Sequence, residues 1–285
     1  MKYFAVIFRE RIWKMKTIVF ILLNLFFMDI YLAPLRKMAE NTGYQVEAGV
    51  IGFLLSDVYY LSVFLLSVLY FFSDIPFFGR NQMFYMIRLG RKKWAFYNCL
   101  YLMLAGFLLI TIESVLCVIL LFPVLSMGNN WGKVLGTLSM TNAGVQTGQA
   151  FAVNYGTILE LKPWELFGLT YINGALAIAC MGMLVYGIFL LMSRTAGALT
   201  GGLLIVLPGM GEYFLNIPWN YISPLSWMRT GIFFSGKIMR MPTVTYMLCG
   251  FGIICVTTGI LIILKIRKNY ICFYGINVLK LLIVS

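Results

Sequence analysis

The sequence predicts an all-α integral membrane protein, a single transmembrane domain over residues 1–285 built as a six-helix bundle. Three observations carry that expectation. Hydrophobic residues make up 61% of the chain and charged residues only 11%. The mean hydropathy is +0.89, far above what a water-soluble domain sustains. Apolar stretches of roughly twenty residues, the length a helix needs to cross a hydrocarbon core of about 30 Å, recur along the chain with basic clusters beside them.

The chain opens with MKYFAVIFRERIWKMK, residues 1–16, whose spacing predicts a short amphipathic helix lying on the membrane surface. Phe4, Phe8, Ile12 and Met15 share one face, Lys2, Arg9, Glu10 and Lys14 turn away from it, and Arg11 sits at its margin. Charges interrupt its apolar positions and no small-residue cleavage site follows, so this segment is expected to be retained. Spans are expected at about 17–34, 50–72, 95–121, 166–192, 195–211 and 246–264, with Pro34 closing the first and Phe122-Pro123 the third. Trp13, Tyr31, Trp94, Trp131, Trp164 and Trp219 fall near the ends of these runs, where amphipathic rings settle among lipid headgroups.

With both termini on the cytoplasmic side, most of the 22 Lys and Arg residues face inward. Arg36, Lys37, Lys133, Lys162, Arg229, Lys237 and Arg240 remain in the outer loops, partly offset by Glu40, Glu47, Glu160 and Glu165. The outer loop 126–165 is rich in Gly, Asn, Thr and Gln and reads as a partly ordered surface loop. The outer loop 212–243 stays apolar, but Pro218 and Pro224 interrupt IPWNYISPLSWM. Too broken to span and too apolar for water, it is expected to form short extracellular helices that re-enter or lie on the outer leaflet, with their backbone buried against protein. No N-x-[ST] sequon occurs, in keeping with a multi-pass protein of a bacterial inner (plasma) membrane.

Several function classes are disfavoured. The net charge of +12 sits in short clusters beside apolar runs without a nucleic-acid motif, so the expected partner is anionic lipid and no nucleic acid. Five of the six cysteines, Cys99, Cys117, Cys180, Cys249 and Cys255, lie in apolar runs and Cys272 in the tail; they read as small core residues, without disulfide or metal spacing. Histidine is absent, which removes His triads, His metal sites and His proton relays. There is no GxSxG, no clustered catalytic acids and no GxxxxGK[ST] loop, and Gly201-Gly202 sits in an apolar run with no Lys after it. The chain is therefore expected not to be an enzyme and to bind no cofactor or metal of its own.

Two groups of residues could carry function. The inside loop 74–93, within SDIPFFGRNQMFYMIRLGRKKW, joins a helix stop at Asp74 and Pro76 to an amphipathic run over about 81–88. Gly90, the basic cluster Arg91, Lys92 and Lys93, and Trp94 follow. It suits docking to a cytosolic partner; the alternative is that its charges only fix topology. The second group is acidic. Asp57 and Glu113 lie deepest within spans, Asp29 toward the outer end of the first and Glu212 near the end of the fifth, and few cations are available within the spans to pair them. They can be protonated, bonded to neighbouring hydroxyls and amides, or exposed to a path for a cationic substrate. Gly174, Gly182 and Gly187, with Gly197, Gly201 and Gly202, allow close helix approach, and Pro208 marks the end or a kink of the fifth span.

The surface helix, six spans with both ends inside, the 74–93 loop and the SPLSW stretch (Ser223 to Trp227) before the last span together resemble the permease of the type-2 ABC exporter family, over nearly the whole chain. The resemblance implies an N-terminal elbow helix and a coupling helix over Phe84 to Lys93 seated in a cleft of the ATPase, with Phe84, Arg88, Gly90, Arg91, Lys92 and Lys93 at the contact. It also implies two short outer helices before span six, and a hinge near Gly201. ATP and Mg would be handled by a separate cytosolic ABC ATPase subunit, and the permease would pair as a homodimer or as a heterodimer with a related permease. An amphipathic or peptide-like substrate would leave past Asp57, Glu113, Asp29 and Gly201. A competing expectation is an ion-coupled secondary transporter or channel using Asp57 and Glu113. That architecture calls for inverted repeats and broken helices, neither of which is legible in the sequence. A peptide-binding signalling or immunity protein is a further alternative that overlaps with the first.

Overall fold

The computed structural model describes residues 8–12, 14–75, 87–213, 219–234 and 241–268. Within them the chain is mostly helical, because a helix is the local way for a long apolar run to satisfy its own backbone N–H and C=O groups away from water. Residues 8–12 are helical (α1) and lead to α2 (Met15–Thr42), the short α3 (Val50–Leu54) and α4 (Val58–Phe71). Residues 87–89 (α5) precede α6 (Arg91–Leu121), and three small helices follow, α7 (Lys133–Met140), α8 (Ala143–Gln146) and α9 (Tyr155–Glu160). The chain then forms α10 (Pro163–Leu191), α11 (Arg194–Tyr213), α12 (Trp219–Ile222) and α13 (Val244–Lys268). Among the described residues four helices, α2, α6, α10 and α13, are long and apolar enough to cross a membrane; α4 is apolar but shorter.

Helix α10 is the centre of the bundle: 67% of its most apolar window is buried, against 28% for α2 and for α13. The outer helices keep apolar strips exposed, as Ile18, Leu22, Phe26 and Ile30 do at four-residue intervals on α2, which is the arrangement expected where the solvent is lipid. Helix α6 runs antiparallel to α10. Asn98 meets Tyr186 near one end, and a Cβ on Gly106 would strike the Ala175 carbonyl farther along, so the two backbones approach as closely as only glycine permits. Helix α4 runs antiparallel to α2, with Phe20 against Phe71, Asn24 donating to Ser67 at 2.9 Å and Tyr31 against Tyr60.

Several elements depart from the predicted boundaries. Helix α2 does not end at Pro34 but continues to Thr42. The ring forfeits one backbone hydrogen bond, while Leu35 and Ala39 beyond it are buried against the core. The turn out of α2 is made by Gly43, whose φ of 69° is the left-handed cap that glycine adopts without strain. The run predicted as one span over 50–72 is divided, since α3 stops at Leu54 and α4 begins at Val58. The 126–165 loop is more ordered than its composition suggests: it carries α7 to α9, and Leu125–Ser126 (β2) pairs in parallel with Val46–Glu47 (β1). Arg11 is not marginal but buried. It donates to Asn98 Oδ1 at 2.9 Å and lies 4.8 Å from the Tyr101 ring centroid, while Phe8 meets the same ring edge-on, so α1 is docked onto α6. Phe4, Trp13, Phe84, Pro218 and the tail from 269 lie outside the described residues.

Candidate functional site: a broken helix and a buried carboxyl

Sequence chemistry explains why the second apolar run breaks. In LLSDVYY the Asp57 side chain accepts the Tyr60 N–H at 2.8 Å and caps α4. In an unbroken helix that N–H would bond the Ser56 carbonyl, so capping frees an acceptor inside an apolar environment, where an unpaired C=O is costly. Arg229 fills it: its Nε donates to Ser56 O at 2.8 Å. The same guanidinium reaches Pro208 O at 3.5 Å and Glu212 Oε2 at 2.5 Å, both on α11. Ser56 Oγ accepts the Gly231 N–H at 2.8 Å, and Thr157 Oγ1 donates to Gly231 O at 2.8 Å. A Cβ on Gly231 would press on Gly52 O and Ser56 Oγ, so the close approach requires glycine there. The segment 223–231 is thereby buried into one end of the bundle, with Ser223, Trp227, Met228 and Thr230 at most 3% exposed.

Deeper in the bundle, Glu113 on α6 is fully buried. Tyr60 donates its hydroxyl to Glu113 Oε1, while Oε2 has no hydrogen-bond partner among the described residues. The Tyr60 ring packs against Tyr31 at 5.2 Å between centroids, and the Tyr31 hydroxyl approaches Asp57 as a donor. Glu113, Tyr60, Tyr31, Asp57, Arg229 and Glu212 thus form one contiguous line of polar side chains from the interior to the end of the bundle. A fully buried acid such as Glu113 is expensive in an apolar bundle.

Near that end, outside the apolar runs, Glu47 is only 4% exposed and takes the Gly132 backbone N–H. Burial pushes its carboxyl above the ordinary value, and the hydrogen bond only partly opposes the shift. At the opposite end, Lys14 and Lys16 converge on Asp74 at 2.8 and 2.5 Å. There Arg88, Lys92 and Lys93 are exposed and Arg91 is half-buried, while Gly90 turns the chain into α6 with a φ of 76°.

Of the four residues predicted to line a substrate path, the structure joins Asp57 and Glu113 and leaves the other two apart. Asp29 pairs with Arg36 at 3.2 Å on the exposed side of α2. Gly201 lets α11 lie against Leu69 and Val185, a packing contact. The residue that sequence reasoning missed is Arg229, counted there among outer-loop charges. Its signal was its isolation as the one cation of the apolar stretch IPWNYISPLSWMRTGIFFSG, since a lone cation there needs a buried acceptor. Among the described residues no cluster of His, Cys, Asp or Glu is placed to hold a metal ion. No protein-family description, curated protein or solved structure matches this chain, so the geometry carries the functional argument.

Proposed function

We propose that this chain is the membrane subunit of an ATP-driven exporter of the type-2 ABC class, moving an amphipathic or peptide-like substrate out of the cell. The observation that carries the reading is the exposed basic turn of Arg88, Lys92 and Lys93, at the end of the bundle where α1 is docked. The turn leads straight into α6, a 31-residue helix that carries Glu113 and packs along α10. A push from a cytosolic ATPase on this turn would be delivered along one stiff element into the bundle centre. In this reading α2, the α3–α4 pair, α6, α10, α11 and α13 make six crossings with both termini cytoplasmic. Segment 223–231 closes the outer end, two permease copies flank the path, and ATP and Mg stay on the partner. Co-expression with the neighbouring ABC ATPase and purification in mild detergent tests it. The two should co-elute, and Lys92→Glu with Lys93→Glu should separate them without shifting the thermal midpoint of the permease. A permease that never co-elutes with the ATPase sinks the proposal.

A second reading, an ion-coupled transporter, gains support from the break at Ser56–Asp57 and from buried Glu113, since such transporters place ion sites at discontinuous helices. It predicts uptake into proteoliposomes driven by a proton gradient without any ATPase, and lost in Asp57→Asn or Glu113→Gln. Uptake that needs ATP and the ATPase rules it out.

A further inference from the structure

Cys180 on α10 and Cys255 on α13, 75 residues apart in sequence, bring their sulfurs to 3.3 Å. Cys180 is fully buried and Cys255 is 8% exposed. The contact lies between helices packed along their length, through Met183 against Gly259 and Ile262 against Gly187. Neither thiol belongs to the polar line of Glu113 and Asp57.

Buried thiols are ordinarily inert because the thiolate is hard to form out of water. Here each sulfur is the other's hydrogen-bonding neighbour, so the S–H of one lies against the sulfur to which a disulfide would join it. Disulfide bonding at about 2.05 Å requires the sulfurs to close by roughly a further 1.3 Å. The sulfurs face inward between the two helices, and the side of α13 turned away from them, with Ile253 and Val256 65% and 60% exposed, is apolar. An oxidant dissolved in lipid meets that face, whereas a charged aqueous one does not.

We propose that Cys180 and Cys255 are a redox-active dithiol that a lipid-soluble quinone oxidises to a disulfide joining α10 to α13. Two S–H bonds break and one S–S bond forms; the two electrons and two protons pass to the quinone, which leaves as the hydroquinone. The bond ties α13 to the most buried helix and removes any sliding between them.

The test uses reduced full-length protein in lipid nanodiscs, exposed either to tetramethylbenzoquinone, whose ring methyls block thiol addition, or to glutathione disulfide. With the quinone, intact mass should fall by about 2 Da per bond formed. Two of the six thiols should vanish from the denatured protein, and a cross-linked peptide should join Cys180 to Cys255. Glutathione disulfide should act much more slowly. Cys180→Ser should abolish the mass loss and Cys117→Ser should leave it; should Cys180→Ser not fold, the wild-type peptide map decides alone. Unchanged mass under quinone, a bond to Cys99 instead, or equal rates with the two oxidants would overturn the proposal.

Discussion

Arg229 and Glu212 form an ion pair of unequal depth: the Arg229 side chain is 2% exposed, while that of Glu212 is 37% exposed. The inequality makes the two partners differ in what their loss leaves behind. Without Arg229, Glu212 rehydrates, and the damage is the stranded Ser56 carbonyl, about 1–2 kcal/mol. Without Glu212, a guanidinium stays buried with its chief counter-charge gone, about 3 kcal/mol. Thermal midpoints in one detergent should therefore fall further for Glu212→Ala than for Arg229→Met. The reverse order would show that the pair is not buried as described.

Tyr60→Phe should destabilise the protein by about 1–3 kcal/mol, because it strips from the buried Glu113 carboxyl its one side-chain donor among the described residues. Adding Glu113→Leu should recover part of that loss, since removing both polar partners leaves nothing unsatisfied. The double variant separates stability from function: it should fold, and if Glu113 serves transport it should be inactive. A double variant less stable than Tyr60→Phe contradicts the buried hydrogen bond.

Glu47 gives a pH dependence of defined sign. Its folded pKa is raised above the ordinary 4.5, so the folded state favours the protonated acid. The associated stability is present below about pH 4.5 and is lost as pH rises through the folded pKa. Glu47→Gln cannot ionise, so its thermal midpoint should exceed that of wild type at pH 8 and converge with it near pH 4. A gap that widens toward acid would reverse the assignment.

Glycine positions should respond according to what their Cβ meets. Gly106→Ala forces α6 off the Ala175 backbone and should cost about 1–3 kcal/mol, whereas Gly168→Ala on the same partner helix meets nothing and should be neutral or stabilising by up to about 1 kcal/mol. Equal effects at the two sites would mean that α6 and α10 are not in close backbone contact.

The helical class and its four long apolar helices were legible because lipid leaves the backbone few options, and hydropathy reports that directly. Asp57 and Glu113 stood out for the same reason, as acids in apolar runs. What was not legible depends on partners distant in sequence. The break after Leu54 is written locally as Ser56-Asp57, a helix-start pair, but a broken helix is tolerated only with a remote donor such as Arg229. Arg11 looked peripheral by helical spacing, and its burial follows from Asn98 and Tyr101, whose placement no local pattern conveys. The proximity of Cys180 and Cys255 is likewise a product of helix packing.

The Ser56 carbonyl waits for a donor 173 residues downstream. At a synthesis rate of about 5–20 residues per second, the wait lasts roughly nine to thirty-five seconds. During that interval the Ser56 carbonyl can be satisfied only by the Tyr60 N–H of a continuous helix, in competition with the Asp57 cap. Arg229 is made only when most of the chain has been synthesised, so the break between α3 and α4 takes its final, fully bonded form late.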